Sequence, residues 1–228
     1  MKLVTIAGPP SSGKTAVTIK AVAALCQEGT KVGVVKFDSL STQDQTLYEK
    51  QGIAVTTGLS GNLCPDHFFV SNVSDCLAWG IEKKFDLLVI ESAGLCNRCA
   101  PHIQGVLAVC VVDNLSGVDT PKKIGPMLKM ADVVVITKGD IVSQAEREVF
   151  AYRVRQVNGN ATILNVNGLT GQGGRELGTL LLNAPASADL EGKLLRFSMP
   201  AALCSYCLGQ RKIGSDFQMG NVKKMTFP

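Results

Sequence analysis

The chain has 228 residues, 46% of them apolar, and a formal net charge of +4. Length and apolar share suit one α/β domain with a small appendage. No apolar run is long enough to span a bilayer, and the 23 Lys and Arg residues are spread along the chain, so neither membrane insertion nor a nucleic-acid surface is expected.

The first run, Leu3-Val4-Thr5-Ile6-Ala7, reads as a core strand. It leads straight into a glycine loop, so the fold needs it and it does not read as a cleaved leader; a cytoplasmic protein is expected. From Gly13 to about Gln27, Ala, Val and Ile recur at helical spacing, and Glu28-Gly29 ends that helix. Val32 to Lys36 is a second strand, and the polar stretch Ser41 to Lys50 a short helix. Asp86 to Glu91 is a continuous apolar run of the kind buried on both faces, and the runs 106–112, 133–137 and 162–166 repeat it. Helices are predicted over 72–83, 121–130, 143–156 and 173–182. The alternation implies a doubly wound, mainly parallel sheet of the P-loop NTPase type with helices on both faces. Ala184-Pro185-Ala186-Ser187-Ala188 reads as a linker. Residues 1–183 are therefore the predicted main domain and 184–228 a small extension folded against it.

The strongest chemical signal is Gly8-Pro9-Pro10-Ser11-Ser12-Gly13-Lys14-Thr15, with GxxxxGKT spacing. Its glycines let the backbone curl so that amides face phosphate, Lys14 reaches the β- and γ-phosphates, and the Thr15 hydroxyl can bind Mg²⁺. A strand before it and a helix after it are the context this loop needs, and the helix start adds a positive dipole end. The metal also needs a carboxylate, and Glu91, closing an apolar strand, supplies one. Gly94 follows where an amide can approach a γ-phosphate. Asp113 closes the next strand and could assist the site or only cap a loop. In Thr137-Lys138-Gly139-Asp140, the Asp140 carboxylate can accept from the two adjacent donors of guanine, which adenine lacks, while the lysine stem packs over the base.

Eight cysteines in a reducing compartment do not read as a disulfide framework. Cys26, Cys76 and Cys110 fall within apolar helix or strand patterns and read as small buried hydrophobes. Cys96/Cys99 and Cys204/Cys207 are CxxC pairs, which in a cytosolic protein point to metal or redox chemistry. Together they would make a four-cysteine set able to hold Zn²⁺ or a 4Fe-4S (Fe-S) cluster.

The order GPPSSGKT at 8–15, ESAG at 91–94 and TKGD at 137–140 resembles the nickel-handling GTPases of the SIMIBI class, the HypB/UreG-like accessory proteins, from about Lys2 to Leu182. The resemblance implies GTP/GDP with Mg²⁺ as ligands. It implies a nucleotide-binding set of Gly8 to Thr15 with Ala16, Gly94, Thr137, Lys138, Asp140, Asn167, Gly168 and Leu169. It also places Asp38 and Asp44 in the nucleotide-responsive switch, with Asp38 the better candidate beside Thr15 and Glu91 in the Mg²⁺ shell, and gives Lys14, Asp38 and Glu91 the catalytic roles. The stretch Thr57 to His67 is similar to the family's metal motif, implying Cys64 and His67 as Ni²⁺ or Zn²⁺ ligands across a homodimer. Asp66 is inserted there, so the transfer is firmer for Cys64; the alternative for His67 is a surface-loop histidine. The CxxC at Cys96 and Cys99, directly after Gly94, departs from the family pattern and would link thiol chemistry to nucleotide state. Only His67 and His102 are histidines, so bulk nickel storage is not expected.

The sequence thus predicts a GTP-hydrolysing metallochaperone or maturation factor for a target metalloenzyme, slow without its partner. Two rivals stay open: a nucleotide-hydrolysing Fe-S protein that activates or reduces another enzyme, and a non-catalytic regulator.

Overall fold

Apolar side chains at successive strand positions must point to opposite faces, so strands that are apolar throughout need cover on both. The computed structural model describes residues 1–94, 101–197, 210–217 and 222–228 and provides that cover. Its strands are β1 (Lys2–Ala7), β2 (Val32–Asp38), β3 (Ala54–Leu59), β4 (Leu87–Glu91), β5 (Leu107–Asp113), β6 (Val133–Thr137) and β7 (Thr162–Asn165). They form one seven-stranded sheet in the order β3-β2-β4-β1-β5-β6-β7. Every pairing in it is parallel.

The helices are α1 (Lys14–Gln27), α2 (Asp44–Glu49), α3 (Pro65–Glu82), α4 (Thr120–Ile124), α5 (Pro126–Lys129), α6 (Gln144–Val157) and α7 (Gly174–Leu182). On one face, Val4 and Ile6 of β1, Val89 of β4 and Val111 of β5 pack with Val17, Ala21 and Leu25 of α1 and Leu177 of α7. On the other, Phe37 and Ile90 pack with Phe68, Phe69 and Val73 of α3. Farther along that face, Cys110 and Ile136 pack with Met127, Phe150 and Val154.

Four sequence expectations need correction. Residues 54–59 were given no strand, yet β3 is the sheet edge beside β2; Thr and Gly weaken its apolar signal. The helix expected from 72 begins at Pro65, because proline suits a first helical turn and Phe68, Phe69 and Val70 already face the core. The helix expected over 121–130 is two, α4 and α5, since Pro126 has no N–H to continue the first. Cys26 is exposed rather than buried: the inward stripe of α1 runs Thr18, Ala21, Val22, Leu25, and Cys26 lies one residue beyond it.

The described residues after Asn183 reach back onto the sheet. Leu190, Leu195, Ile213 and Met225 join the α3-side core, and the Phe227 ring stacks on Trp79 at 5.7 Å. Arg196 makes a two-pronged ion pair with Asp132, at 2.8 and 2.7 Å, and also donates to the carbonyls of Ile103 and Val106. That clamp fixes the segment leading into β5.

Candidate nucleotide and metal site

The C-terminal ends of β1, β4, β5 and β6 lie side by side because the strands are parallel and in register, so their following loops converge. The loop after β1 is held from two sides. Thr137 Oγ1 donates to the Ser12 carbonyl at 2.7 Å, and Lys138 Nζ to the Ser11 carbonyl at 2.7 Å. Lys14 Nζ donates to the carbonyls of Gly8 and Pro9, both at 2.9 Å. Burial pulls the Lys14 amine below its ordinary pKa, against the pull of Glu91.

The glycines at 8 and 94 are dictated by contact. A Cβ on Gly8 would lie 2.2 Å from the Val111 carbonyl oxygen. Gly94 has φ +70, and a Cβ there would lie 1.8 Å from the Gly8 carbonyl oxygen. The ESAG loop therefore presses its backbone directly on the phosphate loop, which only glycine permits.

Beside that contact lies a charged cluster in which Lys36, Tyr48 and Glu91 are buried and Thr15 and Asp44 are half-buried. Thr15 Oγ1 shares its proton between Glu91 Oε1 at 2.7 Å and Asp44 Oδ2 at 2.9 Å. Lys36 Nζ lies 2.7 Å from the same two carboxylate oxygens. Tyr48 OH donates to Glu91 Oε2 at 2.6 Å, and Glu91 and Tyr48 are both fully buried. Burial alone would lower the Lys36 pKa, but Glu91 and Asp44 overrule it and the net shift is upward. Burial would raise Asp44, yet the Lys36 hydrogen bond and charge hold it below its ordinary value. Tyr48 is pushed well above its ordinary value by burial first and Glu91 second, so it stays a donor. Of the two switch acids, Asp44 meets Thr15 and Glu91; the carboxylate of Asp38, at the end of β2, accepts from its neighbour Ser39 N–H at 2.8 Å. Thr15, Asp44 and Glu91 present hard oxygens, a donor set that suits Mg²⁺.

Sequence reasoning missed Lys36 and Tyr48. A signal existed for the first: a lysine inside a strand apolar on both sides must find acids or disrupt the core.

The loop after β6 holds Lys138 in the left-handed region, φ 57. Its Nζ is 3.6 Å from Asp113 Oδ1, which also accepts from Leu115 N–H at 3.0 Å. Asp113 thus caps its loop and tethers Lys138. Asp140 is exposed and lines a cleft with Gly139, Arg147, Asn165 and Asn167. Asn167 Oδ1 accepts from the backbone N–H groups of Leu169 and Thr170, which shapes the next loop. Gly168 packs so close to Ala16 that an added Cβ would meet its Cβ at 2.8 Å, and Leu169 is exposed.

Cys64 occupies the N-cap position of α3 and is half-buried. His67, in the first turn of α3, is fully buried, so the surface-loop alternative does not hold. Among the described residues no three His, Cys, Asp or Glu side chains gather as a metal-ligand group. Cys96, Cys99, Cys204 and Cys207 lie outside the described residues. Cys76 and Cys110 are buried core thiols; burial pushes Cys110 up to about 12 and Cys76 higher still.

A parallel sheet with a GxxxxGKT loop between its central strand and a helix, and an acid closing the neighbouring strand, defines a P-loop nucleotide-binding protein. The family model described as CobW/HypB/UreG, nucleotide-binding domain, matches residues 2–165, and the chain belongs to that family. It is 46% identical over 225 residues to an uncharacterized protein of Methanocaldococcus jannaschii, covering 99% of this chain and 96% of that one. It is 30% identical over 195 residues to the urease accessory protein UreG of Yersinia pestis, covering 78% of this chain and 86% of the relative. The fold is similar to the crystal structure of HypB from Helicobacter pylori in complex with nickel, with a TM-score of 0.63 at 19% identity over 83% of this chain and 91% of that one. Among the described residues no helix is long and apolar enough to cross a membrane.

Proposed function

We propose that this chain is a GTP-hydrolysing metallochaperone that binds a transition metal, nickel first among the candidates, and delivers it to a target metalloenzyme. The observation carrying this reading is the convergence of the Gly8–Thr15 loop, Gly94 and the buried Glu91 in one contact set. In it Lys14 neutralises charge on the β- and γ-phosphates, and Gly94 senses the γ-phosphate through its backbone. Thr15, Glu91 and a switch carboxylate would hold Mg²⁺, which when bound would supply charge stabilisation at the phosphates. Asp38 belongs to the same switch, and Asp140 reads guanine. The transported metal is cargo: Cys64 contributes a thiolate, with His67 and the Cys96/Cys99 and Cys204/Cys207 pairs as further ligands within a homodimer. The family membership and the HypB-like fold support the cargo reading; the nickel in that crystal structure is bound by the Helicobacter protein.

Two measurements test it. Asp140→Ala should erase a preference for GTP over ATP of roughly a hundredfold or more, the worth of two hydrogen bonds to a charged acceptor at about 1.5 kcal/mol or more each. A wild-type protein that binds ATP better from the outset sinks the assignment of TKGD. Metal analysis of anaerobically prepared protein, with and without a non-hydrolysable GTP analogue, should show nickel or zinc whose stoichiometry depends on the analogue. A brown, iron- and sulfide-containing preparation would instead favour the Fe-S activator.

A further inference from the structure

Lys36 is the member of the buried cluster that phosphate chemistry does not call for. It is no wandering surface lysine. It is a cross-strand partner of Glu91 in the β2–β4 pairing, so the sheet itself aims both side chains to the same place. Its side chain is only 4% exposed, and its Nζ touches Asp44 Oδ2 and Glu91 Oε1, both at 2.7 Å. Those are the two oxygens that share the Thr15 proton. The ammonium therefore sits against the same carboxylates that a divalent cation at Thr15 must use.

We propose that Lys36 is a positioning residue that competes with the divalent metal for Asp44 and Glu91, so that metal enters this site only together with a nucleotide. The inference rests on the P-loop nucleotide reading. Two carboxylates without Lys36 would offer a doubly negative oxygen cluster, able to capture a divalent cation by itself. Lys36 cancels one of those charges and fills the approach. A cation arriving with phosphate brings further anionic ligands, and these tip the competition against the lysine. The switch helix registers the exchange, because Asp44 and Tyr48 stand one turn apart on α2 and both bind into the cluster. Displacing Lys36 from Asp44 frees that face of α2, while Tyr48 stays on Glu91.

The test uses Mn²⁺ as the probe cation, titrated without nucleotide and followed by the paramagnetic resonance of the free ion. Lys36→Met should bind Mn²⁺ at least about tenfold more tightly than wild type, from loss of one adjacent like charge. Lys36→Arg should match wild type. Unchanged Mn²⁺ affinity in a folded Lys36→Met protein overturns the proposal. So does an equal loss of GDP affinity with Mg²⁺ and with EDTA, since Lys36 would then be a phosphate ligand. Should the methionine variant fail to fold, amine acylation of the wild type decides. Labelling of Lys36, read by mass spectrometry, should rise in Mg²⁺ plus GDP over GDP plus EDTA; equal labelling overturns the proposal. A wild type that binds no GDP would sink the nucleotide reading, while the nucleotide-free Mn²⁺ comparison still judges Lys36.

Discussion

Replacing Gly94 with alanine probes the contact between the ESAG loop and the phosphate loop. Two costs follow from the geometry. Holding alanine at φ +70 costs about 1 kcal/mol, the left-handed penalty of a residue with a Cβ. The larger cost is steric. The new Cβ would lie 1.8 Å from the Gly8 carbonyl oxygen and 3.1 Å from Lys14 Nζ. The lysine can swing away, but the carbonyl is backbone. Gly8 cannot retreat freely either, because it packs against β5 so closely that a Cβ added to it would lie 2.2 Å from the Val111 carbonyl oxygen. The two loops must therefore separate by about 1 Å, and a misplacement of that size at a phosphate site costs on the order of 100-fold in function. Titration calorimetry with GDP and with a non-hydrolysable GTP analogue should show a Kd weakened by roughly that factor. Thermal unfolding should show a loss of a few degrees, corresponding to about 1–2 kcal/mol. A Gly94→Ala protein whose Kd and melting temperature match wild type would refute the close-contact argument.

Tyr48→Phe removes a hydrogen bond to a buried carboxylate and leaves Glu91 Oε2 with one partner fewer. A loss of about 1.5–3 kcal/mol is expected in urea unfolding, and a change below about 0.5 kcal/mol would show that the bond is not formed in solution. His102 predicts an acid-sensitive fold. Its ring is fully buried, with Nε2 at 2.9 Å from the Met127 carbonyl and Nδ1 at 3.4 Å from Thr5 Oγ1. Burial is the main cause that lowers its pKa from 6.5 to about 4; Arg196 also lowers it, while the Met127 hydrogen bond and Asp132 oppose the shift. Between those values the unfolded chain takes up a proton that the folded chain refuses. Stability is therefore full above pH 6.5 and falls by about 3 kcal/mol as pH drops toward 4. Asp44 and Asp132, held below their ordinary values in the fold, add further losses at lower pH. Urea melts across this window should show the slope in wild type and a flatter one in His102→Gln; a flat wild-type profile would count against the buried neutral histidine.

Much of this molecule is legible without coordinates. Continuous apolar runs such as 87–91 and 133–137 can only be strands covered on both faces, and the helical runs between them leave a parallel sheet as the consistent solution. The edge strand 54–59 escaped because an edge needs less apolar material, and its Thr and Gly carry no strong period. The start of α3 escaped because Cys64, Pro65 and His67 look like a ligand loop, whereas Pro65 opens a helix and His67 is packed inside it. The apolar helical pattern around Cys26 suggests a core position, and its place one step off the inward stripe overrules that.

By itself the sequence determined the phosphate loop, the acid that closes β4 and the glycine three residues after it. Local chemistry fixes these, because only certain residues can curl a backbone around phosphate or end a buried strand in a charge. Tertiary structure alone decided who shares the site. The pairing of β2 with β4 sets Lys36 beside Glu91 across 55 residues of chain, and the placement of α2 brings Asp44 and Tyr48 onto the same carboxylate while Asp38 turns to its own neighbour. Such partnerships depend on strand register and helix docking, which are cooperative properties of the whole sheet and leave no mark in any single stretch of residues.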